Sequence, residues 1–311
     1  MKLYTGSFSQ IGSRAYQVRD IVFVKEQNVP VEHEHDDKDE ISEHFLIEHN
    51  GEAVATARVQ PDGHIGRFAV VKRWRGKGLG LGLLNAIIAT CKDRGMEHLF
   101  LNAQEHALDF YKKCGFKIKS DPFVEAGIVH RRMELDCKDV KIPEMVYVVD
   151  ENNDIQSITT RAIMREKRLG HRASYIAVCN RDNKFLIELR TLSKDYAPGL
   201  FDACVGGIEQ IFEDRFDSAL RELEEEVGIK ADRQSLHYLG FEKIDSPPTY
   251  VLADMYFIKG DFITKRQSSE VSGIMYLDLE DIKRLEKNFA KDSYKAFFKI
   301  IQKAKAANLI A

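Results

Sequence analysis

Residues Gly207 to Ile229 read GIEQIFEDRFDSALRELEEEVGI. A glycine is followed after five residues by Glu213, then after seven more by Arg221-Glu222-Leu223-Glu224-Glu225-Glu226-Val227-Gly228-Ile229. The second part is expected to be helical. On a helix, Glu222, Glu225 and Glu226 stand at i, i+3 and i+4, so their carboxylates share one face. Like charges so placed repel unless a cation neutralises them. Hard carboxylate oxygens suit Mg²⁺ or Mn²⁺, which also grip a diphosphate. Glu224 points away from that face. Arg221 is expected to pair with Glu213 and brace the loop ahead of the helix. An exposed acidic helix would need neither Gly207 nor Glu213.

Every fixed position matches the Nudix box, G-x5-E-x7-R-E-U-x-E-E-x-G-U with U aliphatic, so residues 140–311 resemble a Nudix hydrolase. The resemblance implies an α/β/α sandwich that cleaves a diphosphate bond. It places the metal on Glu222, Glu225 and Glu226, with Glu225 also in the catalytic set. Around the box, Tyr175–Cys179 and Phe185–Arg190 read as paired strands about Arg181-Asp182-Asn183-Lys184, and Val251–Ile258 as another strand. Glu270 opens a late strand ending at Leu277. Nudix enzymes often carry an extra acidic residue there, as a fourth ligand or the base for water; a plain strand end is the alternative.

His171-Arg172-Ala173 and the stretch from Arg190 through Lys194-Asp195 to Pro198-Gly199 are similar to the Nudix branch near isopentenyl-diphosphate isomerase. Those isomerases set a catalytic Cys before the first box glycine and a metal-binding His after it. Here these positions are Gly206 and Ile208, and Cys204 is two residues early. Hydrolysis is therefore the expectation. Arg190 and Lys194 are open between substrate-phosphate contacts and surface charges.

The first half carries different motifs. Ser13–Lys25 has helical spacing. Phe45–Glu48 and Ala53–Val59 form a hairpin about Asn50-Gly51. Ile65–Val71 is a strand, Gly78–Arg94 a helix, Leu99–Asn102 a strand, Ala107–Cys114 a helix capped by Gly115, and Val129–Leu135 a strand. Between the strand and the first long helix lies Arg73-Trp74-Arg75-Gly76-Lys77-Gly78-Leu79-Gly80. Glycines let backbone N–H groups turn inward, and a helix N-terminus adds positive potential, so such a loop can cradle a pyrophosphate. A basic surface turn is the plainer reading.

With Ala107-Leu108-Asp109-Phe110-Tyr111-Lys112-Lys113-Cys114-Gly115-Phe116 downstream, residues 1–136 resemble the GNAT acetyltransferases. The resemblance implies a mixed sheet with acetyl-CoA between splayed strands. Cofactor contacts would come from Val70, Arg73, Arg75, Gly76, Lys77, Gly78, Leu79, Gly80 and Asn102. Tyr111 matches the tyrosine that protonates the leaving thiolate, and packing at the helix end is its alternative. Val22-Phe23-Val24-Lys25-Glu26-Gln27-Asn28-Val29-Pro30, Glu34-x-Asp36-x-x-Asp39 and Gly127-Ile128-Val129-His130 resemble the ElaA-like branch more narrowly. His130 stands where a general base could act or where a structural imidazole could sit. The run Glu32–Glu40 is too irregular for a metal site. It is expected to be a solvated loop that could receive a cationic amine.

The whole chain of 311 residues is 44% hydrophobic, 31% charged and 10% aromatic, with a net charge of −3. At roughly 100–200 residues per domain this suggests two. They are expected over 1–138 and 139–311, divided in the polar Asp136–Met145. Neither half has the basic excess of a nonspecific nucleic-acid binder, and no apolar run approaches the ~20 residues of a membrane span. Residues 1–16 lack a signal-peptide core, so a cytoplasmic place is expected. The five cysteines form no Cys-x-x-Cys pair; buried reduced thiols are expected, not disulfides or zinc.

Together these observations predict an α/β, two-domain, bifunctional enzyme: an acetyl-CoA-dependent N-acetyltransferase followed by a Mg²⁺ (or Mn²⁺) Nudix hydrolase of a nucleoside diphosphate derivative. The partners would be an amine acceptor and a diphosphate-containing small molecule, with no nucleic acid or membrane, and a homodimer left open. The competing readings are a domain that senses its ligand without turnover and regulates the other, and an isoprenoid isomerase.

Overall fold

The structure is a computed structural model and describes every residue except His35, Ala126 and Ala311. The chain divides into two compact units, Met1–Met145 with Ser157–Thr160, and Val146–Gln156 with Arg161–Ala311.

The first unit opens with β1 (Lys2–Gly6), α1 (Phe8–Arg19), α2 (Val31–Glu34), α3 (Lys38–Ile41), β2 (Glu43–His49), β3 (Glu52–Val59) and β4 (Ile65–Val70). It continues with α4 (Leu79–Asp93), β5 (His98–Gln104), α5 (Leu108–Lys113), β6 (Lys117–Ile118), β7 (Phe123–Glu125) and β8 (Ile128–Asp136). Strands β1-β2-β3-β4 form one sheet and β5-β8-β6 a second, with β7 also on β8. The hairpin between β2 and β3 turns where expected, because Asn50 and Gly51 both take positive φ, at 51° and 80°, as a tight hairpin turn requires. Helix α1 starts earlier than its periodicity suggests. Gln10 Oε1 accepts from Ser7 N–H at 2.9 Å, which satisfies an end group that a helix otherwise leaves open. After Arg19 the chain continues as a wider π-type helix, Asp20–Glu26. Helix α4 buries Leu79, Leu83, Leu84, Ile87 and Ile88 completely.

Strands β4 and β5 meet at one point. His64 bridges Phe100 in parallel, and Phe100 N–H donates to Gly63 O at 3.0 Å. The two strands belong to different sheets beyond it. The gap between them is thus flanked by the loop that follows β4 and by α5, which follows β5.

The second unit takes β9 (Met145–Val149) from Val146 onward and the start of β10 (Ile155–Thr160), whose Ser157–Thr160 belong to the first unit, and contains α6 (Arg161–Lys167), β11 (His171–Cys179), β12 (Phe185–Arg190) and β13 (Phe201–Asp202). Then come α7 (Arg215–Val227), β14 (His237–Ser246), β15 (Thr249–Lys259), β16 (Val271–Leu277), α8 (Leu279–Arg284) and α9 (Lys291–Ala306). One eight-stranded mixed sheet runs β10-β9-β11-β12-β13, with β15 on β11, β14 on β15 and β16 on β12. Alternation along the strands divides the core. Tyr175, Ala177, Phe185 and Ile187 face Ala296, Phe297 and Ile300 of α9. Ile176, Val178, Leu186 and Tyr256 face Ala219, Leu223 and Val227 of α7. The sheet therefore lies between α7 and α9. All five cysteines are buried and free. No helix among the described residues is long and apolar enough to cross a membrane.

Candidate functional site

Helix α7 starts at Asp214, whose carboxylate accepts from Phe216 N–H at 2.9 Å. It ends at Gly228, which takes the left-handed conformation with φ 72°, a helix stop that glycine adopts without a Cβ clash. Its apolar face is buried, and its acidic side carries the box carboxylates. Arg221 makes the expected brace: Nε donates to Glu213 Oε1 at 2.8 Å and NH2 to Glu213 Oε2 at 3.0 Å. This is the fork-on-fork geometry that only arginine offers a carboxylate. The same guanidinium reaches Glu222 at 2.7 Å and Glu225 at 3.0 Å. Glu224 points elsewhere, toward Lys230 at 3.3 Å.

Gly207 has a role that its spacing does not reveal. A Cβ there would stand 2.6 Å from Glu222 Oε1 and 2.7 Å from its Cδ. The box opens on glycine so that the Glu222 carboxyl can lie against the loop. Glu222 is buried, and its pKa is pushed up to about 7: burial does most of this, Glu226 and Glu225 add repulsion, and Arg221 opposes them.

Glu226 is also buried. It takes Lys194 Nζ at 2.9 Å and Gly206 N–H at 3.2 Å. Burial raises its pKa against the pull of Lys194. Lys194 Nζ also lies 2.5 Å from Glu270 Oε2. Burial works to raise the Glu270 pKa, but the Lys194 ammonium holds it below the usual carboxylate value. Lys194 and Arg190 are therefore not the surface charges that one reading allowed. Arg190 donates to Asp202 and, from NH2 at 2.8 Å, to Tyr196 O.

As placed, no three His, Cys, Asp or Glu side chains among the described residues converge closely enough to hold a metal ion. The reason is visible in the pairing. Arg221 draws Glu222 and Glu225 to one side, and Lys194 draws Glu226 to the other. The donors nevertheless suit a hard divalent cation. Glu222 is cradled where a Cβ would fill the space. Glu188 of β12, nearly fully buried, has an Oε1 without a hydrogen-bond partner. Sequence reasoning passed over Glu188. Its signal was a lone acid inside the apolar strand F-L-I-E-L-R. Cys204 packs its Sγ 3.9 Å from Ser293 O in the core.

In the first unit, the glycine loop sits between β4 and α4. Gly76 and Gly78 take φ of 73° and 80°, the left-handed region that glycine enters without a steric cost. Gly78 is the N-cap of α4, so N–H groups of the first helical turn, from Leu79 and Gly80 onward, have no partner within the helix. Arg75 ties the loop back, with Nε on Val70 O at 2.8 Å and NH2 on Glu26 at 2.5 Å. Arg73 pairs with Glu52, and the Lys77 ammonium lies 4.9 Å over the Trp74 ring. These donors fit a pyrophosphate. Asn102 of β5 donates to Glu125 at 3.1 Å.

Tyr111 of α5 packs among Phe110, Phe116 and Phe68 at ring separations of 4.9, 6.0 and 6.1 Å. Burial pushes its pKa up. Since Phe68 is on β4, this places the tyrosine beside the gap between β4 and β5. His130 of β8 pairs with Gln104, the last residue of β5. Its Nδ1 lies 2.9 Å from Ile128 O. A carbonyl only accepts, so Nδ1 carries hydrogen and the neutral ring keeps Nε2 as an acceptor.

One expectation fails in part. The acidic run Glu32–Glu40, of which His35 lies outside the described residues, is solvated at Glu32, Asp37 and Glu40, but not at its other acids. Glu34 and Asp39, on α2 and α3, are buried with Arg19 and Arg58. Arg19 gives NH1 to Asp39 at 2.9 Å. Arg58 gives NH1 to Asp36 at 2.5 Å and to Asp39 at 2.6 Å, and Arg67 adds NH2 to Asp36 at 3.0 Å. Burial opposes the charge on Asp39, yet the two guanidiniums hold its carboxyl below the usual range. Glu34, Asp36 and Asp39 are counter-ions of the buried Arg19 and Arg58, and buried charges persist only when so paired.

Comparison with known proteins agrees with this architecture. Residues 15–137 match the family model of the acetyltransferase (GNAT) domain, and residues 169–299 that of the NUDIX domain. A Salmonella typhi protein named as an uncharacterised Nudix hydrolase, YfcD, is 36% identical over 153 residues, which is 49% of this chain and 82% of that protein. A Bacillus subtilis protein named as an uncharacterised N-acetyltransferase, YjcF, is 39% identical over 126 residues, which is 39% of this chain and 90% of that one. The crystal structure of Escherichia coli ElaA is 29% identical, covers 44% of this chain and 100% of its own, and superposes with a TM-score of 0.41. The chain is a two-domain enzyme that belongs to the GNAT acetyltransferases through its N-terminal part and to the Nudix hydrolases through its C-terminal part.

Proposed function

We propose that both domains turn over: residues 1–138 acetylate a small-molecule amine from acetyl-CoA, and residues 139–311 hydrolyse a diphosphate bond in a nucleoside diphosphate derivative, in the cytoplasm. The observation that carries the hydrolase reading is the carboxylate face of α7, with Gly207 shaped to Glu222 and Arg221 forked onto Glu213.

In the hydrolase, Glu222, Glu225 and Glu226 would hold Mg²⁺ or Mn²⁺. Such a cation, when bound, stabilises negative charge on phosphoryl oxygens. Glu270 is the base for water: Lys194 keeps it ionised, which is the form that accepts a proton. Lys194 and Arg190 supply positive charge beside the carboxylates for substrate phosphate. Arg221 and Glu213 set the loop and do not touch substrate.

In the transferase, the backbone donors of Gly76 to Gly80 take the cofactor pyrophosphate, with Arg73, Arg75 and Lys77 near it, Val70 and Leu79 lining the loop, and Asn102 on the opposite strand. His130 accepts the amine proton at Nε2, supported by its Nδ1 contact to Ile128 O. Tyr111 gives its hydroxyl proton to the leaving sulfur.

The test is turnover of the full chain with Glu225→Gln, screened with Mg²⁺ against nucleoside diphosphate sugars, dinucleotides, coenzyme A and dNTPs. Hydrolysis should fall by orders of magnitude while acetyl-CoA binding is unchanged, and Glu224→Gln should be mild. Hydrolysis near the wild-type rate in Glu225→Gln would overturn the assignment.

A further inference from the structure

The carboxylates near α7 are not all accounted for by the box. Along β12, Leu186 packs with Ala219, Leu223 and Val227 of α7, so the alternate residues Glu188 and Arg190 project to the same face. Asp202 is the direct cross-strand partner of Glu188 and is satisfied by Arg190. Lys194 is shared by Glu226 and Glu270, at 2.9 and 2.5 Å. Glu188 Oε1 has no hydrogen-bond partner, although the residue is only 2% exposed. Glu226 and Glu270 thus share one ammonium, and Glu188, on the same face, adds a third carboxyl with no ion pair of its own among the described residues. If all ionise, the shortfall is two positive charges, which one divalent cation supplies. A buried carboxylate with an open oxygen is costly unless something binds it.

We propose that Glu188, which lies outside the box, is a further divalent-cation ligand that acts jointly with Glu226. The proposal rests on the reading of the box carboxylates as a cation site. It gives Lys194 a second duty: the ammonium neutralises Glu226 in the metal-free protein and is released toward substrate phosphate when the cation takes its place.

Metal-stripped full-length protein would be titrated with Mn²⁺ while free Mn²⁺ is followed by electron paramagnetic resonance. Glu188→Gln and Glu188→Met keep the side-chain volume, and Glu225→Gln is run beside them. Both Glu188 variants should lose one Mn²⁺ or bind it at least tenfold more weakly. Their melting temperatures in chelator should be no lower than wild type, because a buried acid has been removed. If Glu225→Gln weakens Mn²⁺ binding and the Glu188 variants do not, the proposal falls and the box reading stands. If no variant weakens binding, the box reading falls and takes the proposal with it. If both Glu188 variants melt well below wild type in chelator, Glu188 is a structural acid and the proposal is overturned.

Discussion

Gly207→Ala isolates the contact that shapes the box. The added methyl would stand 2.6 Å from Glu222 Oε1, 2.7 Å from Cδ and 2.8 Å from Oε2, far inside van der Waals distance. Something must move, and the backbone has no reason to be first. The carboxyl is the free end of a flexible side chain, tied to Arg221 at 2.7 Å. The fold should therefore survive, with a loss near the low end of overpacking, about 1 kcal/mol, or about 2–4 °C for a unit of this size. Cation affinity should suffer more, because the displaced group is one of the proposed ligands; misplacing the support of a ligand typically costs about 10–100-fold. Calorimetric Mn²⁺ titration and melting in chelator give the two numbers. A Gly207→Ala, Glu222→Ser double variant should regain the melting temperature and still bind Mn²⁺ weakly. The reasoning is refuted if Gly207→Ala binds Mn²⁺ as wild type does, or if the double variant melts no higher than the single.

Three further outcomes are expected. Asp39→Asn leaves Arg19 and Arg58 short of a buried counter-charge and should cost about 3–5 kcal/mol; a melt within 1 °C of wild type would show that Asp36 and Glu34 suffice. His171 is buried, and its pKa is pushed from 6.5 to about 4, chiefly by burial with Arg165 adding repulsion. Between those values the unfolded chain binds a proton that the folded one does not, so stability should be complete above pH 6.5 and fall as pH drops toward 4. The full span is worth about 3 kcal/mol, and His171→Asn should flatten that slope in pH-dependent melts; a profile identical to wild type counts against it. Tyr111→Phe should leave acetyl-CoA affinity and melting unchanged and lower acetyl transfer roughly 10²-fold, whereas unchanged turnover would make Tyr111 a packing residue.

What was readable in the sequence shares one property: the partners lie within a turn or two of each other. Asn50-Gly51 sets its own hairpin, Gly78 caps its own helix, and Arg221 finds Glu213 eight residues away across one loop. Spacing is enough for these because local geometry converts it directly into direction. The acidic run Glu32–Glu40 defeated the same logic. Its less exposed acids, Glu34, Asp36 and Asp39, are paired with Arg19 of α1, Arg58 of β3 and Arg67 of β4, and nothing in a ten-residue window reveals partners on three other elements. Irregular spacing then looked like solvent exposure, when it reflected a cluster assembled by tertiary packing. Lys194 shows the limit in the other direction. Its motif is visible in the sequence, but its burial depends on Glu226 of α7 and on Glu270 just before β16, 32 and 76 residues away. The same dependence explains Glu188, whose register opposite Asp202 and whose side toward α7 come from sheet pairing. The acids nearest the chemistry are thus of two kinds. Those on α7 are ordered by the helical repeat and can be read, while those on β12 and just before β16 are brought to them by the sheet. If the proposed cation site is right, a substitution that leaves the box intact but alters β12 will therefore change cation affinity.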